Sequence, residues 1–154
     1  PSTEGELLLR YNKGVGPFRK EDVTAGFDMI DKWKIIISYL SAEHAGQPDK
    51  NGQFRILSTT EKLPPKSICT ETYLVAGAFD TEAEADNYMA YLKTKFVRFL
   101  LAQVVVTQHI SKASFVFVPA QDFTKQWTDE ELFKKYKLTS EEIAFINNMI
   151  KEMN

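Results

Sequence analysis

The residues of this chain that could do chemistry are cationic and amide side chains rather than catalytic groups. The stretch YLKTKFVRFLLAQ, residues 91–103, carries three bases among apolar and aromatic residues and no acid. At helical spacing Tyr91, Lys95 and Arg98 stand along one face. Such a row can bind phosphates, with the tyrosine hydroxyl as an extra donor. The alternative is a solvated flank whose lysine and arginine stems cover the core.

Two polar stretches contain side chains that could read base edges. Gln and Asn can bond adenine in two places, and His and Lys can meet guanine or phosphate. One stretch is the loop SAEHAGQPDKNG and the other is TQHISK; either can equally be an ordinary polar loop. The candidates for base readout are Gln47, Lys50, Asn51, Gln108, His109 and Ser111. The candidates for phosphate binding are Tyr91, Lys93, Lys95, Arg98 and Lys112.

Signatures of catalysis are missing from the sequence. It contains no glycine-rich phosphate loop, no Gly-x-Ser-x-Gly elbow and no His-Glu-x-x-His motif. One cysteine and two distant histidines are poor material for a zinc site, and Cys69 is expected to be a small buried residue. Pro48-Asp49-Lys50 resembles the start of a nuclease motif, but the required second acid is missing from the next strand. We therefore predict no catalytic residue, metal or cofactor for this chain.

Length and composition fit a single domain spanning residues 1–154. The chain is 44% hydrophobic and 12% aromatic, so it can build a core. A net charge of -2 argues against a general polyanion binder, yet residues 91–119 hold four bases and no acid. The single cysteine fits a reducing, cytoplasmic setting, and no run of 18 apolar residues could span a membrane. A start at Pro1 suggests a domain excised from a longer protein.

The elements that must position these residues can be predicted from periodicity and from helix caps. Short β-branched or alternating runs predict strands over residues 32–40, 53–59, 72–79 and 114–118. Turns are predicted at NKGVGPFRKED and at Asn51-Gly52. Thr81, Thr128 and Thr139 each precede a glutamate by three residues, which is the capping-box pattern. These caps predict helices over residues 82–101, 129–136 and 140–151.

The longest predicted helix carries a broad apolar stripe that we expect to be core. The stripe consists of Ala85, Tyr88, Met89, Leu92, Phe96, Phe99 and Leu100. Strands come first along the chain and helices gather late, which favours an α+β fold. The predicted architecture is a small mixed or antiparallel sheet, with one long helix packed on it and two short C-terminal helices.

Four segments of the chain form a familiar pattern: DKWKIIISY, CTETYLVAGAFDTEAEADNYMAYLKTKFVRFLL, TQHISKASFVFVP and QDFTKQWTDEELFKKYKLTSEEIAFINNMI. Together they resemble the C-terminal region of adenine-specific DNA methyltransferases from bacterial restriction–modification systems. The closest likeness is to long type IIG enzymes and their stand-alone methylase relatives. The likeness covers roughly residues 28–152 and is weaker over residues 43–66.

The resemblance implies a target-recognition role. In such enzymes the catalytic domain binds S-adenosylmethionine, flips an adenine out of the duplex and methylates its exocyclic amine. The Asn/Asp-Pro-Pro-Tyr/Phe motif of that domain is absent, because Pro64-Pro65 lacks the flanking residues. This chain is therefore expected to be a non-catalytic domain. Its implied partners are double-stranded DNA and the methyltransferase domain of the same polypeptide, which would use S-adenosylmethionine; fusion to a restriction endonuclease stays open.

Two other functions stay open. The last two helices are amphipathic and well capped, and they could dock the domain onto the methyltransferase domain or a partner subunit. Docking predicts an exposed apolar patch around Phe133, Tyr136, Ile146 and Met149. An independent nuclease would instead need two or three carboxylates with a lysine and a bound metal, whereas the acids here lie mainly in helix caps.

Overall fold

The computed structural model describes residues 1–38, 50–53, 56–57, 60–105, 115 and 118–152. The strands are β1 (Leu7–Tyr11), β2 (Gly14–Phe18), β3 (Trp33–Ser38), β4 (Thr60–Leu63), β5 (Ser67–Cys69) and β6 (Tyr73–Phe79). The α-helices are α1 (Glu82–Leu92), α2 (Lys95–Val105), α3 (Asp129–Lys135) and α4 (Ser140–Met149). The α+β class is confirmed, with two three-stranded sheets where the sequence predicted one.

The first sheet, in the order β2-β1-β5, was not predicted from the sequence. β1 and β2 are an antiparallel hairpin, and β5 joins β1 in parallel. In β1 the side chains alternate, since Leu7 and Leu9 are buried whereas Leu8 is exposed. Pro17 is tolerated because β2 is an edge strand, where a missing N–H does not interrupt the ladder. The turn predicted at NKGVGPFRKED is confirmed at Asn12-Lys13, whereas the glycines and proline that follow occupy β2.

The second sheet, in the order β4-β3-β6, is antiparallel and supports the helices. Its central strand β3 and its edge strand β6 were predicted from the sequence and are confirmed. Ile35 and Ile37 lie in the main core beneath the helices, and Ile36 is buried outside that cluster, so both faces of β3 are covered. Helix α1 packs closely on β6. A Cβ atom at Gly77 of β6 would lie only 2.8 Å from a ring carbon of Tyr88 of α1, so a larger residue there would require the ring to shift.

Two cationic side chains link the sheets and their connections. Arg10 of β1 makes a two-pronged ion pair with Glu61 of β4, at 2.8 and 3.2 Å. Lys34 of β3 is buried, and its ammonium donates to the carbonyls of Met29 (2.8 Å) and Lys32 (2.7 Å). Burial lowers the pKa of Lys34 to about 8, because the charged form loses its hydration.

The three threonine caps predicted from the sequence are confirmed. The hydroxyls of Thr81, Thr128 and Thr139 accept from the amides of Glu84, Glu131 and Glu142, at 3.2, 3.3 and 3.2 Å. The reciprocal bond of a complete capping box forms at Thr139. These contacts are local in sequence, which explains why the starts of α1, α3 and α4 could be predicted.

Two other predicted strands do not appear in the parts the structure describes. Gln53, Ile56 and Leu57 lie outside any strand, and β4 begins only at Thr60. Ile56 and Leu57 are fully buried in the main core, so their hydrophobicity reflects burial rather than pairing. Farther along, the amide of Val118 donates to the carbonyl of Phe115 at 3.1 Å, which closes a turn.

Candidate nucleic-acid interface

The basic stretch at residues 91–103 belongs to two helices rather than to one. Helix α1 ends at Leu92 and α2 begins at Lys95, so the predicted helix over 82–101 is broken at Lys93-Thr94. The hydroxyl of Thr94 donates to the carbonyl of Tyr91 (2.6 Å) and accepts from the amide of Val97 (3.3 Å), as an N-cap does. The sequence signal was therefore present at Thr94, but it lies within an apolar pattern that continues across the break.

A carboxylate from α3 completes the start of α2. The side chain of Asp129 accepts from the amides of Lys95 (3.1 Å) and Phe96 (2.9 Å), which have no partner within a helix. Its negative charge also suits the positive end of the helix dipole. This cap joins α2 to α3, 33 and 34 residues apart along the chain.

The break changes which side chains face the interior, and Arg98 turns inward. Only 2% of Arg98 is exposed. Its guanidinium donates to the carbonyl of Lys93 (3.1 Å) and to that of Lys151, which follows α4. Burial lowers the pKa of Arg98, and the nearby charge of Asp129 opposes this shift. The prediction that Arg98 binds phosphate is corrected here, because a buried guanidinium that holds two carbonyls cannot reach DNA.

Tyr91 is likewise a core residue. It is fully buried, and its hydroxyl donates to the carbonyl of Pro119 at 2.7 Å. Burial raises the pKa of Tyr91 to about 12. The predicted phosphate contact of Tyr91 is thus also corrected, since its only polar group is directed into the protein.

Of the other three predicted phosphate contacts, Lys93, Lys95 and Lys112, the structure describes the first two. Lys93 and Lys95 are partly exposed, and the Lys95 ammonium lies 3.6 Å from a carboxylate oxygen of Glu152. Lys112 lies outside the described residues. The row Tyr91, Lys95 and Arg98 therefore does not form a phosphate-binding face; of its members only Lys95 has access to the surface.

Most candidates for base readout lie outside the described residues, namely Gln47, Gln108, His109 and Ser111. Lys50 and Asn51 are described, and both are exposed in a turn. Gly52 follows with a φ of +76°, so the Asn-Gly turn predicted from the sequence is confirmed. The structure therefore brings Lys50 and Asn51 together at the surface.

Both polar stretches are flanked by residues of one hydrophobic core. Ile37 precedes the first stretch and Ile56 follows it, and both belong to the main core cluster. Ala102 of α2 precedes the second stretch and belongs to the same cluster. Phe115 follows the second stretch along the chain and packs against that cluster. One core thus contains or contacts the four described residues that flank the two stretches, which is how binding loops are commonly supported.

The predicted apolar docking patch is only partly formed. Phe133 and Ile146 are buried, at 8% and 3% exposure, because they complete the core beneath α3 and α4. Tyr136 is 37% exposed, and the largest exposed aromatic of α4 is Phe145, at 59%. Phe145 contacts Phe99 of α2 edge-to-face. The apolar surface is therefore centred on Phe145 rather than on the predicted residues.

A cationic cluster around Trp127, just before α3, was not predicted from the sequence. The ammonium groups of Lys125 and Lys135 lie 3.9 and 4.7 Å from the ring centroid of Trp127. Lys135 also donates to the side-chain oxygen of Gln121, and the side-chain nitrogen of Gln121 donates to the hydroxyl of Tyr136 at 2.8 Å. We call these five residues the Trp127 cluster. The two lysines lie two residues before and eight residues after Trp127, a spacing that does not indicate that both contact one ring.

The described part of the chain offers few side chains that could bind a metal ion or react as a thiol. No group of three or more His, Cys, Asp or Glu side chains there could hold a metal ion. Cys69, in β5, is partly buried, and burial raises the pKa of its thiol. No described helix is long and apolar enough to cross a membrane.

The described residues of the segments that carry the methyltransferase resemblance include β3, β6, α1, α3, α4 and most of α2. Apolar residues of each of these elements lie in the main core. The first sheet contributes no residue to that cluster. Comparison of the chain with protein-family models, with curated proteins and with solved structures finds no match.

Proposed function

We propose that this chain is a non-catalytic DNA target-recognition domain of an adenine-specific DNA methyltransferase from a restriction–modification system. The polar stretches at residues 41–52 and 107–112 would approach base edges in the duplex. Surface lysines would bind the phosphates and fix the register of the domain. S-adenosylmethionine binding, adenine flipping and methyl transfer would belong to the methyltransferase domain of the same polypeptide.

The observation that carries this proposal is the support of both polar stretches by one core. Ile37, Ile56, Ala102 and Phe115 flank the two stretches and lie in or against the same cluster. Base readout requires side chains held at fixed positions relative to each other, and the residues that flank the two stretches are fixed relative to each other by their shared core. Lys50 and Asn51 are exposed at the end of the first stretch, where base contacts are proposed.

The proposal keeps only the exposed part of the predicted phosphate contacts. Lys93 and Lys95 remain candidates because they are partly exposed, and Lys112 remains a candidate from the sequence. Cytoplasmic localisation stays part of the proposal, since the partner is bacterial DNA.

The first test is a titration of labelled random DNA duplexes with the purified chain at about 50 and 200 mM salt. A target-recognition domain should bind the pool in a salt-dependent way and enrich a preferred sequence on repeated selection. On that sequence, the double variant Gln108→Ala, His109→Ala should lose about tenfold or more in preference, since one good base contact discriminates by about 1–3 kcal/mol.

A matched control for this test is the double variant Asn12→Ala, Lys13→Ala. Both residues are exposed in the turn between β1 and β2, outside the segments that resemble methyltransferases. This control should retain both affinity and preference. Absence of binding by the unmodified chain at low salt would contradict the proposal.

A second candidate function is docking onto the methyltransferase domain, and the exposure of Phe145 favours it. The Phe145 ring is 59% exposed although it contacts the partly buried Phe99. Docking predicts that Phe145→Ser lowers methylation by the whole polypeptide without weakening DNA binding by this chain. Leu8→Ser is the matched control, because Leu8 is 50% exposed on the first sheet. Equal activity of the two variants would argue against docking through α4.

A further inference from the structure

The Trp127 cluster brings two ammonium groups to one indole ring. Lys125 lies two residues before Trp127, and Lys135 lies at the end of α3. Both ammonium groups are within 5 Å of the ring centroid, at 3.9 and 4.7 Å. Two ammonium groups repel each other, so their proximity requires an attractive interaction nearby. The indole ring supplies part of that attraction, because its negative face attracts cations.

The charges around the cluster do not cancel fully. Lys125 forms an ion pair with Glu131, the third residue of α3. Lys135 instead contacts neutral groups, namely the Gln121 amide oxygen and the rings of Trp127 and Tyr136. Within the described ranges no carboxylate forms an ion pair with Lys135, or with its exposed neighbours Lys134 and Lys137. The pKa of Asp122 is lowered by hydrogen bonds from Thr124 and by the charge of Lys125, so Lys125 also interacts with this second carboxylate. The C-terminal end of α3 therefore carries three lysines that form no ion pair with a described carboxylate.

The cluster is arranged before any ligand binds. A lysine that becomes ordered loses about 1.5–2 kcal/mol of side-chain entropy. A cation–π contact at an exposed site contributes about 0.5–1 kcal/mol and so offsets part of that cost in the unbound protein. Lys135 is additionally held by Gln121. Ordered cations bind an anion more tightly than mobile ones, since less freedom remains to be lost.

The cluster also lies beside the start of the basic helix. The Tyr136 ring stacks on Phe96 of α2, with centroids 5.1 Å apart. Phe96 follows Lys95, and both amides are capped by Asp129 of α3. Lys135, in the last turn of α3, and the partly exposed Lys95, at the start of α2, therefore lie on neighbouring helices.

We propose that the Trp127 cluster is a phosphate-binding site for the backbone of duplex DNA, in which Lys125 and Lys135 contact phosphate oxygens. This inference rests on the proposed DNA-recognition function and names the site that replaces the buried Arg98 and Tyr91. Trp127 is not assigned a stacking contact with a base, because two ammonium groups already lie within 5 Å of its ring centroid. Its role is to position them.

The test compares two lysine pairs in the whole chain. Lys125→Gln, Lys135→Gln removes both charges of the cluster, and Lys13→Gln, Lys20→Gln removes two exposed charges near the first sheet. Each double variant is titrated with labelled duplex DNA over a range of salt concentrations. Removing two phosphate contacts should reduce the slope of log Kobs against log salt by about 1.8, whereas the control pair should leave it unchanged.

Trp127 fluorescence provides a second readout. The chain has two tryptophans, so Trp33→Phe leaves Trp127 as the only indole. Its emission should change on addition of duplex DNA if phosphates displace or shift the lysines above the ring. Circular dichroism of each variant checks that folding is retained, as expected for exposed lysines.

The outcomes separate this inference from the proposed function. Salt-dependent binding that is weakened only by the cluster variant supports both. Salt-dependent binding with the same slope in the cluster variant overturns the phosphate site and leaves the recognition function standing. Absence of DNA binding by the unmodified chain at low salt overturns both, and an acidic protein surface then becomes the alternative ligand for the cluster.

Discussion

Replacement of Arg98 distinguishes the buried role seen in the structure from the phosphate contact predicted from the sequence. In Arg98→Ala the guanidinium no longer donates to the carbonyls of Lys93 and Lys151. A buried carbonyl left unpaired costs about 1–3 kcal/mol, and each buried methylene lost from the stem costs about 0.8 kcal/mol. Release of a desolvated charge offsets several kcal/mol of this total. We expect a net loss of about 3 kcal/mol in the free energy of unfolding.

The assay is urea and thermal unfolding followed by circular dichroism. For a chain of this length the expected loss lowers the Tm by about 6–12 °C. Arg98→Met is informative because it keeps the apolar stem and removes only the charge and the donors. Lys93→Ala is the matched control, since Lys93 is a base in the same stretch but is partly exposed. Its stability should change by no more than about 0.5 kcal/mol.

One result would refute the reasoning. If Arg98→Ala unfolds at the same urea concentration as the unmodified chain but binds DNA more weakly, Arg98 lies at the surface and contacts phosphate. Loss of stability in Arg98→Ala with no loss in Lys93→Ala instead supports the buried role.

The remaining predictions concern the helix break and the buried lysine. Asp129→Ala removes the acceptor for the amides of Lys95 and Phe96 and should cost about 1–2 kcal/mol in urea unfolding. Equal losses in Asp129→Ala and its exposed neighbour Glu130→Ala would contradict this cap. The Lys34 pKa of about 8 lies below the unfolded value of about 10.4, so the unfolded chain binds more protons between these pH values and stability should rise with pH from about 8. Above about pH 10 the raised pKa of Tyr91 has the opposite effect, because the unfolded tyrosine ionises first. In Lys34→Met the rise above pH 8 should disappear from stability curves measured by denaturant titration; an identical rise in both proteins would show that Lys34 is not its source.

Local contacts explain what could be predicted from the sequence alone. The starts of α1, α3 and α4 depend on threonines that bond amides three residues away. β3 is a short apolar run whose three isoleucines are buried, and β6 is a short apolar run in which Leu74 is buried and the other residues are partly exposed. The apolar stripe of α1 and α2 was also recognised, since Ala85 and Leu92 are fully buried and Phe96 is nearly so. In each case the residues that form the sequence pattern lie within a few positions of the contacts that they predict.

The tertiary structure decided the features that depend on distant residues. Asp129 caps α2 from more than thirty residues away, and Arg98 bonds a carbonyl 53 residues away. β1 pairs with β5 across most of the first half of the chain. The two lysines that meet over Trp127 are brought together by the fold of the segment before α3 and by the length of that helix. Periodicity indicates which residues prefer burial, but the partner of each polar group is fixed only when distant segments pack. That packing placed Tyr91 and Arg98 of the predicted phosphate row in the interior.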